Sequence, residues 1–394
     1  MRFMAKAPKD YRERFDYREQ LAAPVKTWAH KDFDYPNPNI RPLFYEGPNY
    51  QGKATRVFAW VGLPEGASRK APVPGIVLVH GGGATAMANW VEIWNNLGFA
   101  AISMDTCGGI PCWHSSCTFR KNGWPRHKHS GPIGWGGFED FDKPRQEQWM
   151  YHAVAAVIRG ANLLCSLPEV DASKVGITGI SWGAYLTNAV LSMDQRYKFA
   201  VPVYGCSYCE IPESTLCPAR YNDMRKDWFN TWDPRNGLPH ITTPTLFLSD
   251  AEDASFPLSS WQRTVSNIKN APVYTSLRFN YPHNHSISYN SRTIPAFAKA
   301  MLNGESMPQL GAIRRTKDGI VSKVDMQGRQ VAKCILAATR ATGPFVDRTW
   351  REYPASYVNG MATSSSLPEN ASAAFFQIQD SEGCIWSSPV FFNE

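Results

Sequence analysis

The sequence lacks a long hydrophobic run and an apolar stretch near its first residue. No apolar run approaches the roughly 20 residues that a membrane helix needs, so we predict no spanning segment and no membrane partner. Residues 1–17 are rich in Lys, Arg and Asp and do not have the pattern of a secretory leader. We therefore expect either a secreted or periplasmic protein whose leader is absent from this sequence, or a cytoplasmic protein.

Charge of one sign is not concentrated in any block. The 41 Lys and Arg against 34 Asp and Glu give a net charge of +7, but the basic residues are scattered. A nucleic-acid partner calls for a basic patch beside a recognisable motif, so we predict none. The densest basic stretch, residues 120–129, is interrupted by Gly123, Trp124 and Pro125 and is typical of an exposed loop that can meet an acidic sugar.

The nine cysteines follow no metal-finger repeat. Cys206 and Cys209 form a C-x-x-C with Cys217 downstream, but a fourth ligand at useful spacing for zinc is missing. Buried thiols, or local bridges such as Cys112 to Cys117 in an oxidising compartment, are the simpler interpretations. The sequence therefore predicts no metal and no other cofactor, and it leaves the oligomeric state open.

From residue 55 to residue 302, apolar patterns alternate between the periods of strands and helices. The predicted strands are 55–63, 75–79, 99–104, 174–178, 198–204, 245–248 and 273–281, and the predicted helices are 86–97, 146–165, 182–194, 257–269 and 291–302. Continuously apolar strands such as 75–79 are typical of a sheet covered on both faces. The pattern predicts the α/β class with a doubly wound, mostly parallel sheet.

After about residue 311 only short alternating strands and turn residues follow, which predicts a small all-β sandwich. We divide the chain into a polar N-terminal arm (1–42), a catalytic domain (43–306) and the β-sandwich domain (307–394), and expect two hydrophobic cores. Within the catalytic domain, residues 106–145 lack periodicity but contain Trp113, Trp124 and Trp135. Compact domains seldom keep such loops unless they serve a site, so we predict a lid that faces the substrate.

Residues 179–183, Gly-Ile-Ser-Trp-Gly, match G-x-S-x-G and lie between a predicted strand and a predicted helix. A serine on such a sharp turn has its hydroxyl held above the sheet, and the two glycines let the turn pass its neighbours. An ordinary helix cap is the alternative, but the flanking elements favour a nucleophile. We predict that Ser181 is the nucleophile and that the backbone N–H of Trp182 helps to bind an oxyanion.

Residues 80–83, His-Gly-Gly-Gly, follow the first buried strand about 100 residues upstream. Glycines let backbone N–H groups face a tetrahedral oxyanion without obstruction by a side chain. We predict that Gly82 and Gly83 supply the other half of the oxyanion hole, whereas His80 is a structural hydrogen-bonding residue.

A serine triad then needs an acid and a histidine, each after a later strand. Strand 245–248 is followed by Asp250, Glu252 and Asp253, which compete for the role of the acid. Strand 273–281 is followed by His283 and His285, and either is able to act as the base.

The chain resembles the α/β-hydrolase family that contains acetyl xylan esterases and dienelactone-hydrolase-like proteins, over about residues 43–310. The segments that carry the resemblance are His80-Gly-Gly-Gly-Ala-Thr-Ala with Trp90-Val91, Trp149 with 151–154, residues 179–183, Pro202-Val-Tyr-Gly-Cys206, Phe256-Pro257-Leu258 and Pro282-His283-Asn284-His285. In such proteins the acid stands three residues before the Phe-Pro pair, which implies Asp253. The family's Pro-His-Gly-His-Gly becomes Pro-His-Asn-His-Ser, so both histidines remain candidates, with His283 nearer to the strand end.

The resemblance implies a serine esterase that deacetylates a polysaccharide or oligosaccharide, and relatives often carry a C-terminal β domain. The 14 tryptophans favour a sugar over a lipid, because flat aromatic faces suit sugar rings. We predict that Trp90, Trp113, Trp124 and Trp135 bind substrate. The alternatives are a uronate methylesterase, in which Arg120, Arg126 or Lys128 would hold a carboxylate, a serine peptidase, and an inactive carbohydrate-binding protein.

Overall fold

A nine-stranded sheet forms the centre of the molecule, as described by a computed structural model that covers residues 15, 17–30, 33, 35–111, 124–134, 140–211, 213–216 and 223–393. In chain order its strands are β1 (Thr27–Ala29), β2 (Ile40–Tyr50), β3 (Lys53–Gly62), β4 (Val73–Val79), β5 (Ala100–Met104), β6 (Val170–Ile180), β7 (Phe199–Val203), β8 (Thr245–Asp250) and β9 (Val273–Arg278). The spatial order is β1-β2-β3-β5-β4-β6-β7-β8-β9. Strands β4 to β9 pair with one another in parallel, whereas β1, β2 and β3 pair antiparallel with their neighbours. The predicted, mostly parallel sheet is confirmed.

Helices cover both faces of this sheet. They are α1 (Tyr17–Ala22), α2 (Ala88–Asn96), α3 (Trp149–Ser166), α4 (Trp182–Leu191), α5 (Asp223–Trp232), α6 (Leu258–Asn267), α7 (His285–Tyr289) and α8 (Thr293–Asn303). Helix α8 ends where Gly304 adopts a left-handed φ of 72°, a conformation that glycine reaches without the steric cost of a Cβ atom. Among the described residues, no helix is long and apolar enough to cross a membrane.

The continuous apolar sequence of the parallel strands explains why helices cover both faces of the sheet. Along β4, Val77 and Val79 belong to the buried cluster that includes α3 and α4, whereas Ile76 and Leu78 belong to the cluster that includes α2 and α8. Successive side chains of a strand point to opposite faces, so a continuously apolar strand needs an apolar layer on each side. The two buried clusters thus lie on the two faces of one sheet.

Part of the segment assigned to an N-terminal arm pairs with the central sheet. Strand β2 begins at Ile40, so a boundary at residues 42 and 43 divides a strand that pairs with β3 along most of its length. Even β1, within the supposed arm, pairs with β2. Proline has no N–H for a ladder and normally argues against a strand; Pro42 and Pro48 therefore obscured the alternation of this segment in the sequence.

The C-terminal part is the predicted β-sandwich, built from two antiparallel sheets. Their strands are β10 (Gln309–Leu310), β11 (Arg314–Thr316), β12 (Gly319–Asp325), β13 (Val331–Thr339), β14 (Trp350–Pro354), β15 (Ser356–Val358), β16 (Met361–Ser364), β17 (Ala373–Asp380), β18 (Ile385–Ser387) and β19 (Phe391–Phe392). The core of the sandwich is continuous with that of the central sheet, because Phe375 and Phe376 of β17 belong to the clusters on the two faces of that sheet. Polar contacts continue this junction: the Leu277 N–H donates to Ser387 Oγ at 2.9 Å.

Candidate active site

Ser181 lies between the last residue of β6 and the first residue of α4. Its backbone adopts φ 60° and ψ −122°, a positive φ that non-glycine residues rarely take and that costs on the order of 1–3 kcal/mol. The conformation is held by a hydrogen bond of 2.8 Å from the Ser181 N–H to the Val203 carbonyl of the neighbouring strand. Such a strained, over-determined turn lifts one hydroxyl above the carboxyl edge of the sheet.

The two glycines of the motif are required because their surroundings leave no room for a side chain. A Cβ atom on Gly179 would lie 2.1 Å from the Gly183 carbonyl oxygen, and one on Gly183 would lie 2.0 Å from the Val79 carbonyl oxygen. No side chain fits at such distances. The spacing G-x-S-x-G therefore follows from how closely the turn passes itself and β4.

The glycine loop after β4 approaches this turn. A Cβ atom on Gly81 would lie 3.0 Å from Ser181 Cβ and 2.9 Å from the Ile180 carbonyl oxygen. Gly83 has a positive φ of 73°, and both Gly82 and Gly83 are partly exposed. The glycine loop and the N-terminus of α4 thus both adjoin the Ser181 turn, and the first N–H groups of a helix are free to bind an anion.

His80 connects the glycine loop to the segment that follows β5. Its Nδ1 lies 2.8 Å from the Gly81 carbonyl oxygen, and its Nε2 accepts the Thr106 N–H at 3.0 Å. These partners define the tautomer that carries its proton on Nδ1. Burial lowers the pKa of His80, so a neutral imidazole serves as a structural link.

Asp105 and Cys107 lie beside His80, and one ligand atom from each lies within 4.8 Å of the others. The lone pair of His80 Nε2 already accepts a backbone N–H. Asp105 accepts the Thr85 hydroxyl at 2.8 Å and the N–H groups of Cys107 and Gly109 at 2.9 and 2.8 Å. The donor atoms are committed to hydrogen bonds, so this cluster braces the loop rather than fitting a cation.

The C-x-x-C motif does not assemble a recognisable zinc site among the described residues. Cys206 and Cys209 are both buried. Burial raises the pKa of the Cys206 thiol, whereas zinc binds a thiolate. Cys217, and the proposed bridge from Cys112 to Cys117, lie outside the described residues.

Asp253 and His283 meet above the ends of β8 and β9. His283 Nδ1 lies 2.7 Å from Asp253 Oδ2. The other carboxylate oxygen accepts the N–H groups of Ser255 and Phe256 at 2.8 and 2.9 Å. The Asp253 side chain is fully buried whereas that of His283 is 28% exposed, so the carboxylate is screened from water and the imidazole remains accessible.

Asp250 is the last residue of β8 and Glu252 lies in the loop that follows; neither contacts a histidine in the described hydrogen bonds. Asp250 accepts the N–H groups of Glu252 and Tyr281, both at 3.3 Å. Burial raises the pKa of Asp250 to about 7. Asp250 is therefore only partly ionised at neutral pH and helps to shape the loop that precedes His283.

His285 lies deeper than His283. Its Nε2 would be 2.8 Å from a Cβ atom on Gly81, and its Nδ1 is 3.5 Å from the Tyr289 hydroxyl. Burial, followed by repulsion from His80 and His283, lowers the pKa of His285 to about 4. The structure thus brings both histidines to the site but gives a carboxylate partner to His283.

Tyr204 and Phe256 were not singled out by sequence reasoning as functional residues, although both lie in segments that carry the family resemblance. The ring of Tyr204 stacks on His283 at 4.9 Å and 28°, and that of Phe256 is nearly parallel to it at 6.3 Å. Tyr204 also has a positive φ of 55°. Two aromatic rings therefore define the plane of the imidazole. The sequence signals for them were the place of Tyr204 directly after β7 and the place of Phe256 in the Phe-Pro pair.

The tryptophans differ in position. Trp90 is 3% exposed and Trp182 is 2% exposed, so neither offers a free ring face. The indole of Trp90 packs against Tyr289, with ring centroids 5.5 Å apart. The expectation that Trp90 stacks on a sugar is therefore wrong. Trp124 is partly exposed and its Nε1–H donates to the Gly83 carbonyl at 3.1 Å. Trp113 and Trp135 lie outside the described residues.

Arg126, a candidate to hold a uronate carboxylate, is engaged by the loop itself. Its guanidinium donates to the Cys107 carbonyl at 3.1 Å and to the Gly131 carbonyl. Lys128 is exposed, and Arg120 lies outside the described residues. The position of Arg126 thus favours a structural role in the described part of the lid.

Comparison with known proteins agrees with this geometry. The sequence profile of the acetyl xylan esterase family (AXE1) matches residues 2–251. The acetyl xylan esterase of Paenibacillus sp. R4 has a TM-score of 0.57 at 22% identity, over 74% of this chain and 95% of that chain. Acetyl xylan esterase 1 of Thermoanaerobacterium sp. JW/SL YS485 has a TM-score of 0.56 at 17% identity, over 76% and 95%.

A puromycin hydrolase has a TM-score of 0.51 at 13% identity, over 70% of this chain and 41% of that chain. At such low identities, the solved structures establish only that the chain has the α/β-hydrolase fold. The family match covers more than half of the chain and includes the glycine loop and the Ser181 turn. The chain belongs to the acetyl xylan esterase family and is a serine carboxylic-ester hydrolase with the α/β-hydrolase fold.

Proposed function

We propose that Ser181, His283 and Asp253 form the catalytic triad of a carbohydrate esterase that removes acetyl groups from a polysaccharide or its oligomers. The observation that carries the assignment is the 2.7 Å hydrogen bond between His283 Nδ1 and the buried carboxylate of Asp253. A carboxylate on Nδ1 fixes the tautomer that leaves the Nε2 lone pair as a base, and it stabilises the imidazolium that forms.

In the reaction, Ser181 Oγ attacks the acetyl carbonyl carbon while His283 Nε2 takes the hydroxyl proton. The carbonyl electron pair moves to oxygen, which accepts hydrogen bonds from the backbone N–H groups of Trp182 and of residues 82–83. The C–O bond to the sugar then breaks, and the leaving alcohol takes the proton from His283. Water attacks the acetyl-enzyme by the same steps and releases acetate.

His283 is the better base of the two histidines. Its imidazole is accessible and oriented by Asp253. His285 is less exposed than His283, and its pKa of about 4 makes it a poor acceptor of the serine proton at neutral pH. Both residues lie beyond the segment matched by the family profile, so the choice depends on these contacts.

The acid can be tested by two matched substitutions. We expect Asp253→Asn to lower kcat on the order of 10³-fold or more, because an amide on Nδ1 favours the wrong tautomer of His283. Asp250→Asn makes the same chemical substitution three residues earlier, at the last residue of β8, and we expect it to cost less than tenfold. Steady-state kinetics with an aryl acetate compares the two, and the reverse ranking would contradict the assignment of Asp253.

A carbohydrate substrate is supported by the family and by the position of Trp124. The indole lies beside Gly83, next to the N–H groups that we assign to the oxyanion. An aromatic face in this place suits a sugar ring held close to its scissile ester. Family membership favours acetate as the acyl group.

The substrate class is tested by product analysis. The enzyme is incubated with an acetylated xylan and with a methyl-esterified polyuronate, and released acetate and methanol are measured. We expect acetate from the first and no methanol above the background of a Ser181→Ala variant from the second. Release of methanol alone would support the uronate methylesterase instead.

The role of Trp124 is tested by separating its ring from its N–H group. We expect Trp124→Ala to raise KM for an acetylated polysaccharide by about fivefold or more, on the scale of 1 kcal/mol for a stacked ring. Trp124→Phe keeps a flat face without the bond to Gly83, and we expect it to retain the lower KM. KM for a small aryl acetate is the control; equal changes for both substrates would make Trp124 a purely structural residue.

A further inference from the structure

The ring that orients His283 is itself supported by a second tyrosine. Tyr204 is fully buried. Its ring centroid lies 4.9 Å from that of His283 and 5.5 Å from that of Tyr281, with interplanar angles of 28° and 31°. Aromatic pairs at such distances attract one another. The plane of the imidazole therefore depends on Tyr204, and the position of Tyr204 depends in turn on Tyr281.

The backbone at Tyr204 is strained. Its φ of 55° is positive, as is that of Ser181, and non-glycine residues rarely take this conformation. The Tyr204 N–H donates to the Leu248 carbonyl at 2.9 Å, which holds the residue in place. Strained residues persist where the surrounding structure fixes them and cluster at functional sites. The strain at Tyr204 thus points to a function for its ring.

Tyr281 is fixed at both its backbone and its side chain. Its N–H donates to Asp250 Oδ2 at 3.3 Å, and its hydroxyl donates to the Ile287 carbonyl of α7 at 3.1 Å. Tyr281 also lies two positions before His283. The ring that supports Tyr204 and the imidazole therefore belong to one short, well-connected segment.

Arg278 ends this series of contacts. Its guanidinium carbon lies 4.5 Å from the centroid of the Tyr281 ring, within the range where a ring face attracts a cation. The guanidinium also donates to Ser291 Oγ at 3.0 Å and to Thr293 Oγ1 at 3.2 Å. Its described hydrogen-bond partners are all hydroxyl groups, and it forms no ion pair with a carboxylate among the described residues. Because no such ion pair competes for the guanidinium, its charge can act on Tyr281.

The far end of the series is anchored to elements outside the active site. Thr293 is the first residue of α8, and its hydroxyl oxygen also accepts the Ile385 N–H of β18 at 2.9 Å. The Arg278 carbonyl accepts the Ala251 N–H at 2.7 Å, which joins the end of β9 to the loop that carries Asp253. The contacts that reach the imidazole thus begin at a helix, a strand of the sandwich and the acid loop.

We propose that Tyr281 and Arg278 are positioning residues for His283. Acting through Tyr204, they hold the imidazole in the plane in which Nδ1 meets the Asp253 carboxylate and Nε2 is free to take the serine proton. This inference rests on the proposed function, because it takes His283 as the base. Neither positioning residue transfers a proton itself.

Orientation of the base affects catalysis more than binding. The imidazole has to stay aligned in both acylation and deacylation, and a small misplacement of a reacting group can cost up to about 10²-fold in rate. A looser imidazole slows both steps together, so KM changes little while kcat falls. A residue needed only for folding would lower stability without this specific loss of kcat.

The first test compares two substitutions of Tyr281 in the whole enzyme, with p-nitrophenyl acetate as the substrate. We expect Tyr281→Leu to lower kcat about tenfold or more and to keep KM within about twofold, because the ring contacts to Tyr204 and Arg278 are lost. Tyr281→Phe keeps the ring and loses only the hydroxyl. We expect it to retain at least about half of the wild-type kcat, since the ring contacts remain.

The second test removes the cation. We expect Arg278→Met to lower kcat about fivefold at an unchanged KM. Arg159→Met is the matched control: Arg159 is a buried arginine of α3 whose Nε donates to Gln20 Oε1 at 2.7 Å, away from the series. We expect the melting temperature to fall in both arginine variants, but kcat to fall only in Arg278→Met.

Wild-type kcat in folded Tyr281→Leu or in folded Arg278→Met overturns the inference. So does an equal loss in Tyr281→Phe and Tyr281→Leu, because the ring would not be the group that matters. An equal loss in the two arginine variants also overturns it, because destabilisation alone would explain both. If one test variant does not fold, the other pair decides. Failure of the proposed function would look different: hydrolysis of the acetate ester would persist in His283→Ala.

Discussion

Ser181→Ala should lower kcat for an aryl acetate by at least 10³-fold while leaving the fold intact. The substitution removes the oxygen that we propose forms the acyl-enzyme, and an oxyanion hole acting alone is thousands of times weaker than a complete triad. The backbone at residue 181 has a positive φ, which costs alanine and serine a similar steric strain, so we expect the turn to be equally stable in both proteins. Burst kinetics with p-nitrophenyl acetate measures acylation directly.

Ser192→Ala is the matched control. Ser192 follows the last residue of α4, and its buried hydroxyl donates to the Ala189 carbonyl within that helix. The same atom is thus deleted at the opposite end of the same helix, away from the site. We expect near-normal activity from this variant, whereas more than a tenth of wild-type activity in Ser181→Ala would end the proposal for Ser181.

His283→Ala should be almost as damaging, with a loss of about 10³-fold or more in kcat, and His285→Ala should cost at most about tenfold on the same acetate ester. The difference follows from position, because only His283 combines an accessible ring with the Asp253 carboxylate. Thermal unfolding of both variants checks that neither loss reflects an unfolded protein.

Chemical rescue sharpens this comparison. Imidazole added to His283→Ala should restore part of the acetate hydrolysis, because a free base can occupy the space left beside Asp253. The same addition should have no effect on His285→Ala. A larger loss in His285→Ala, or equal mild losses in both, would place the base elsewhere.

The fold and the nucleophile were predictable because both depend on local pattern. Buried parallel strands have continuous apolar runs, and the G-x-S-x-G spacing follows from clashes that any Cβ at Gly179 or Gly183 would make. A strand-to-helix turn of this kind has few solutions. Sequence alone therefore located the turn that carries Ser181 and the glycine loop that approaches it.

The partners of Ser181 could not be chosen from local pattern. Asp250 and Asp253 are three residues apart; the family resemblance implied Asp253, and the fold shows that Asp253 contacts His283 whereas Asp250 accepts backbone N–H groups. His283 and His285 differ by two residues, and their difference is one of burial. Long-range packing also decided against Trp90, whose indole the sequence could not distinguish from an exposed one.

The shared core has a consequence for how the C-terminal sandwich can be handled. Leu277 of the central sheet and Phe375 of the sandwich lie in one apolar cluster, and Thr275 and Leu277 hydrogen-bond to Ser387. A truncation after residue 306 would expose that apolar surface and leave β9 as a bare sheet edge, which promotes aggregation. The sandwich therefore cannot be removed on its own. A chimera that takes its sandwich from a relative also has to take β9, the strand that leads into His283, from that relative.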